Sequence, residues 1–229
     1  MVEQAHVIQP LQWRIAVGDE QISAVFEPAL QADAATVFLC AHGAGGHMND
    51  RGMLALAKQL RSRSMHVVRF NFLYRERKSN RPDAMPLLGQ CIEAVAAHVR
   101  KAVSPPRLLI GGRSMGGRAA SMLAADGFCC DGLLLLAYPL HPAGNPERLR
   151  DAHLSQLRVP TLCLNGTRDA LCRRDLMEQV VDRLPKTWTM HWLNGADHSF
   201  HVLKSSGRSD AEVLSEIGEA AAAWLRTLP

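Results

Sequence analysis

The stretch Leu108-Leu109-Ile110-Gly111-Gly112-Arg113-Ser114-Met115-Gly116-Gly117-Arg118-Ala119-Ala120-Ser121-Met122-Leu123-Ala124 decides how the rest of the chain is read. It opens on an apolar run of strand character and closes on a run of helix character. Between them Gly112-Arg113-Ser114-Met115-Gly116 has the spacing G-x-S-x-G. A strand that turns abruptly into a helix forces the residue at the bend into strained dihedrals. It also brings the positions two before and two after the bend against each other, where only glycine fits. The same bend lifts the Ser114 hydroxyl clear of the sheet edge. It aims a helix N-terminus, with free N–H groups and partial positive charge, at any oxyanion formed beside the serine. A glycine-rich turn with an incidental serine is the alternative, but strand, turn and helix all stand where a nucleophile needs them.

A serine hydroxyl needs a histidine to take its proton and a carboxylate to orient that histidine. Working outward, the strand-like Thr161-Leu162-Cys163-Leu164 is followed by Asn165-Gly166-Thr167-Arg168-Asp169, and Trp188 to Leu193 by Asn194-Gly195-Ala196-Asp197-His198-Ser199-Phe200. Asp169 and His198 thus stand just beyond the C-terminal ends of two later strands. Competing residues are less well placed. The strand Gly132 to Tyr138 is followed by Pro139-Leu140-His141-Pro142, without an acid. Asp175 and Asp182 fall in a helical pattern, and Asp131 precedes a strand at the wrong end. His191 lies inside a strand as a packed or hydrogen-bonded side chain, and His201 stands at an expected helix start.

The oxyanion needs two donors, of which the Met115 N–H is one. The second is expected after the early strand Thr36-Val37-Phe38-Leu39-Cys40, in the loop Ala41-His42-Gly43-Ala44-Gly45-Gly46-His47. Its glycines let backbone approach a substrate closely, which makes Gly43 an expected substrate contact and the N–H of Ala44, or of a neighbour, the expected second donor. An ordinary flexible turn is the alternative.

Together these segments resemble the α/β-hydrolase superfamily, in its small, lidless, dienelactone-hydrolase-like branch, from about Thr36 to the C-terminus. The chain order Ser114, Asp169, His198 is that of the superfamily. A closer likeness rests on His42-Gly43-Ala44-Gly45-Gly46, Gly112 to Arg118, Tyr138-Pro139-Leu140-His141-Pro142 and Asn165 to Asp169. These are similar to bacterial predicted hydrolases related to the testis-expressed and NSL-complex-subunit proteins of eukaryotes. The resemblance implies an α/β fold, a mostly parallel twisted sheet with helices on both faces, and these triad positions, without naming a substrate.

Composition fits a single domain over residues 1–229: 47% of residues are hydrophobic and 21% charged, an ordinary globular balance. Met1-Val2-Glu3-Gln4-Ala5-His6-Val7 lacks the basic start and apolar core of a secretory leader, and the apolar run Leu133 to Leu140 is too short to span a bilayer. A cytoplasmic protein without membrane contact is expected. Its six cysteines are expected to be reduced thiols: Cys40 and Cys163 sit in buried strands, and Cys129-Cys130 could bridge only with strain. No cofactor and no metal are expected, since no C-x-x-C pair occurs and Asp197, His198 and His201 would be an unsupported cluster. A formal charge of +4 without aromatic residues interleaved among basic runs argues against a nucleic-acid partner.

Strands are further expected at Leu11 to Val17, Ile22 to Pro28 and Val67 to Phe72. Helices are expected at Asp50 to Arg63, Met85 to Lys101, Met115 to Ala125, Arg173 to Leu184 and Asp210 to Leu228. In the last of these, Ser209 and Glu212 have capping-box spacing, and Trp224 falls on the apolar face as a core residue. Only about twenty residues separate Tyr138 from Val159, so no large lid is expected and the site should favour small or medium soluble esters. Within that stretch His141 either contacts substrate or stands exposed on a proline-fixed turn. Tyr74-Arg75-Glu76-Arg77-Lys78-Ser79-Asn80-Arg81 emerges on the rim of Ser114. Arg75 and Arg77, with Arg113, could attract an anionic ester, or local ion pairs could pin a solvated loop. The pattern implies an ester-cleaving serine enzyme acting through an acyl intermediate on a small molecule. A thioesterase, peptidase or acyltransferase would use the same residues, and a binding scaffold without turnover would keep the fold alone. The sequence gives no oligomeric state.

Overall fold

Runs rich in Val, Leu, Ile and Phe, buried on both sides, make the sheet that organises this chain. The computed structural model describes residues 9–31 and 34–229. The reading of Met1 to Val7 as free of a leader concerns residues outside that range. Eight strands form one sheet: β1 (Leu11–Val17), β2 (Glu20–Glu27), β3 (Thr36–Ala41), β4 (Met65–Phe70), β5 (Arg107–Arg113), β6 (Gly132–Leu136), β7 (Thr161–Gly166) and β8 (Trp188–Leu193). Their order is β1-β2-β4-β3-β5-β6-β7-β8. From β4 to β8 every pairing is parallel, while β2 pairs antiparallel with both β1 and β4.

Side chains alternate across the strands and divide the interior in two. Val37, Leu39 and Ala41 of β3 join one buried cluster, and Phe38 and Cys40 join the other. The first cluster is covered by α3 (Met85–Ala102), α4 (Met115–Ala125) and α5 (Arg174–Val181), through Val95, Val99, Ala119, Ala120 and Met177. The second is covered by α1 (Arg51–Arg61) and α6 (Asp210–Leu225), through Leu56, Leu60, Val213, Ile217 and Trp224. Trp224 is a core residue, as its place on the helix face implied. The capping box also forms: the Ser209 hydroxyl accepts from the Glu212 N–H, and the Glu212 carboxylate accepts from the Ser209 N–H.

The departures from the sequence reading lie at element ends. The fourth strand stops at Phe70, because Phe72 turns the chain into a short helix, α2 (Leu73–Glu76), where a loop was expected. α6 ends at Leu225 and α5 at Val181, each a turn short of its pattern. His201 starts no helix; it lies in a turn closed by an isolated bridge between Ala196 and Val202. Between β6 and β7 the chain forms turns and a single 3₁₀ turn, Leu154–Gln156, so among the described residues no helical lid from this connection covers the C-terminal edge of the parallel strands. No described helix is long and apolar enough to cross a membrane.

Candidate active site

Ser114 occupies the bend between β5 and α4 with φ 50° and ψ −115°, outside the regions that side chains prefer. Its N–H donates to Leu136 O at 2.8 Å and its carbonyl accepts from Arg118 N, which holds the bend at both ends. The glycines around it are required by neighbouring backbone, in a different way from the simple expectation. A Cβ on Gly112 would lie 2.2 Å from Ala41 O, and one on Gly116 would lie 2.7 Å from both Ala41 O and His42 O. The two glycines therefore face the end of β3, and it is Gly117 that presses on Gly112. Met115 opens α4, so its N–H has no partner within the helix.

Ser114, Asp169 and His198 converge on one point. The Ser114 hydroxyl lies 2.9 Å from His198 Nε2, and His198 Nδ1 lies 2.9 and 2.8 Å from the two oxygens of Asp169. With Nδ1–H donating to the carboxylate, Nε2 is left to accept the serine proton. The Asp169 side chain is wholly buried, whereas His198 keeps 24% exposure. A buried carboxylate must be hydrogen-bonded, and Asp169 is: Oδ1 accepts from Leu171 N at 2.8 Å and Oδ2 from Asn165 Nδ2 at 3.2 Å. Asn165 itself is buried and exchanges two 3.0 Å bonds with the backbone of Tyr138. It ties the end of β6 to the end of β7 directly behind the acid. Sequence reasoning passed over Asn165, although a polar residue closing an apolar strand four positions before the acid was a usable signal.

The loop after β3 is clamped through one carbonyl. Gly43 O accepts from Gly46 N at 3.1 Å, from His42 Nδ1 at 2.8 Å and from the Tyr74 hydroxyl at 3.4 Å. His42 is fully buried and its Nε2 accepts from Phe72 N, so the ring is neutral with its proton on Nδ1. Burial, reinforced by the Arg75 charge, lowers its pKa to about 4. A planar peptide directs its N–H opposite to its C=O, so this clamp fixes the Ala44 N–H away from His42. Gly43 stands against the nucleophile: a Cβ there would lie 3.5 Å from Ser114 Cβ. Neither Tyr74 nor the role of His42 was foreseen.

Four residues expected to meet substrate or attract its charge make bonds elsewhere. His141 is buried, with Nδ1 on Pro142 O at 3.0 Å and Nε2 accepting from Arg173 N at 3.1 Å. It joins the loop after β6 to the loop carrying Asp169, so it is neither exposed nor free for a ligand. Arg113 reaches beneath the His198 loop, donating to His198 O at 3.3 Å and Ser199 Oγ at 3.2 Å. Arg75 donates to Ser79 O and Asn80 Oδ1, while Arg77 pairs with Glu20 and Asp83. The α2 loop is therefore pinned by local bonds and ion pairs.

Of the competing residues, Asp175 pairs with Arg173 on the surface, and Asp131 accepts from Leu108 N at 2.7 Å at the other end of the sheet. His191 bonds Glu216 at 2.9 Å and His201 pairs with Asp210. A second serine–histidine contact exists, Ser121 Oγ to His153 Nε2 at 2.8 Å. Ser121 is fully buried inside α4, also touches Arg118 O, and has no strained turn to present it.

The fold is shared with solved structures of low identity. An α/β serine hydrolase homologue from Coxiella burnetii is 20% identical, with a TM-score of 0.75 over 98% of this chain and 100% of that one. A lidless α/β serine hydrolase from Xanthomonas campestris is 21% identical, with a TM-score of 0.75 over 96% and 97% of the two chains. A dienelactone hydrolase from Anabaena variabilis is 18% identical, with a TM-score of 0.72 over 96% and 99%. The model of the α/β hydrolase domain family matches residues 34–226, most of the sheet and every residue of the Ser114 site, and the chain belongs to that family.

Proposed function

We propose that this protein is a serine hydrolase that cleaves small or medium soluble esters through an acyl-enzyme intermediate. The observation that carries the reading is the unbroken chain of hydrogen bonds from the Ser114 hydroxyl through His198 to buried Asp169, with the serine at a strained bend opening a helix. In this reading His198 takes the Ser114 proton as Ser114 Oγ bonds to the ester carbonyl carbon, and Asp169 stabilises the imidazolium. The carbonyl electron pair moves onto oxygen, where the Met115 and Ala44 N–H groups receive it. Collapse expels the alcohol, which takes the proton from His198. Water then attacks the acyl-serine by the same route in reverse and releases the acid.

The absence of a helical lid between β6 and β7 supports soluble substrates of modest size, because that connection leaves only turns and one 3₁₀ turn at the edge carrying Ser114. Neighbours described as an esterase domain and a dienelactone hydrolase fit ester chemistry. The test is steady-state and burst kinetics on a panel of activated esters, thioesters and amides with the wild type and Ser114→Ala. Ester turnover with a burst, lost in Ser114→Ala, supports the reading. A preference for thioesters or amides would move the protein to another acyl-transfer class with the same residues.

A further inference from the structure

Arg75 and Arg113, expected to attract an anion, donate through their Nη atoms to nearby oxygens, with the Nε of each buried and unpartnered. A second set of arginines has fewer bonds, the one side-chain bond among them being Arg150 Nη1 to Pro139 O at 3.4 Å. Arg118, Arg148 and Arg150 line one cavity of about 550 Å³ between α4 and the segment joining β6 to β7, together with His153, Pro142 and Met122. That volume is within the range of small-molecule sites. Among the described residues no carboxylate lies within ion-pair distance of any of the three guanidinium groups, a condition they share with Arg75 and Arg113, whereas Arg14, Arg61, Arg69, Arg77, Arg173 and Arg183 each have one. Arg118 Nε is buried and has no hydrogen-bond partner. A buried, unpartnered guanidinium N–H is costly unless something fills it.

The charges are also close enough to act on one another. After burial, the Arg118 charge is the next cause lowering His153 to about 4, and it lowers Arg150 as well. His153 is held by Ser121, and the Tyr138 hydroxyl donates to Arg150 O at 2.6 Å, so the wall of the cavity is tied together. Asp126 and Asp151 lie near enough to act on His153, but neither pairs with the three arginines, and Asp151 is bound to Arg183. Three like charges around a cavity without a direct ion-pair partner have the composition of an oxyanion site.

We propose that this cavity binds an anionic group, a phosphate or a carboxylate, with Arg118, Arg148 and Arg150 as its donors. Arg118 lies four residues along α4 from Ser114, about 6 Å of helix rise. An ester carrying a terminal anion could therefore reach both Ser114 and the cavity. Only this last step rests on Ser114 being the nucleophile; binding of the anion does not.

The experiment has two arms. In the first, calorimetric titration with inorganic phosphate at constant ionic strength compares the wild type with Arg118→Gln and Arg148→Gln. Arg148 is exposed, so its replacement leaves the fold intact. Binding to the wild type that weakens by about tenfold in each variant supports the site. No binding to the wild type, or equal binding in both variants, overturns it. In the second arm, a succinate monoester is compared with a neutral ester of equal length. A KM raised only for the succinate monoester in the variants assigns the anion to the substrate. Unchanged KM for both esters alongside lost phosphate binding assigns the cavity to a separate anion. If no ester is turned over, the hydrolase reading fails while the phosphate titration still decides the site.

Discussion

Asn165 shows how closely the acid of this site is held. Its amide satisfies one oxygen of a buried carboxylate and, through Tyr138, locks the two strand ends on which Asp169 depends. Replacing it by alanine is expected to lower kcat on the order of 10²-fold with little change in KM, because the imidazole loses its orientation while the pocket stays. Steady-state kinetics would check this, and a raised KM at full kcat would contradict it. Ser114→Ala and His198→Ala should each lower kcat by on the order of 10⁴ to 10⁶. The convergence of Ser114, Asp169 and His198 was legible in the sequence, because each stands within five residues of the end of an apolar strand and strand ends share one edge of a parallel sheet. The side chains around them were not. Whether His141 meets a ligand or Arg173 N, and whether Arg113 faces substrate or His198 O, is decided by loop conformations that strand patterns do not encode.

Elements were legible wherever burial imposed a period, as in α6 and in the strands of the sheet centre, and least so where a side chain redirected the chain. Phe72 reads as strand by composition, but its carbonyl accepts from Arg75 N and begins α2. The β3–α4 contact depends on backbone touching backbone. Gly116→Ala should therefore push α4 from β3, destabilising the protein by roughly 1–3 kcal/mol in urea denaturation and lowering kcat as the bend shifts. A variant of unchanged stability would contradict the packing. The loop holding Ala44 carries a pH dependence as well. His42 is neutral in the folded state, with its pKa lowered to about 4 by burial, whereas the unfolded chain takes up a proton near 6.5. The unfolded state thus binds more protons across that window, so the stabilisation is complete above about pH 6.5 and is lost as pH falls towards 4. The loss is of the order of a few kcal/mol. His153 acts in the same direction. Denaturation midpoints at pH 7 and pH 5 would measure the slope, and His42→Gln should flatten it.

For the molecule as a whole, six parallel strands put the loops that carry Gly43, Ser114, Asp169 and His198 at one edge, and among the described residues the two covering layers leave that edge without a helical lid. Rates on soluble esters should rise hyperbolically with concentration and show no jump where substrate begins to form micelles, since there is no cover for an interface to displace. An abrupt activation at that point would contradict the open edge. The α/β architecture and the missing lid could be read from alternating strand and helix patterns and from the short β6–β7 connection. The cationic cavity could not, because its arginines come from α4 and from an irregular segment that only the fold brings together. The central claim is an activated Ser114. Intact-mass analysis after treatment with a fluorophosphonate probe tests it most directly, comparing the wild type with Ser114→Ala and His198→Ala. The account predicts a single adduct on the wild type, none on Ser114→Ala and slowed labelling of His198→Ala. A folded wild type that takes up no probe, or a Ser114→Ala variant that is labelled as fast as the wild type, would contradict it.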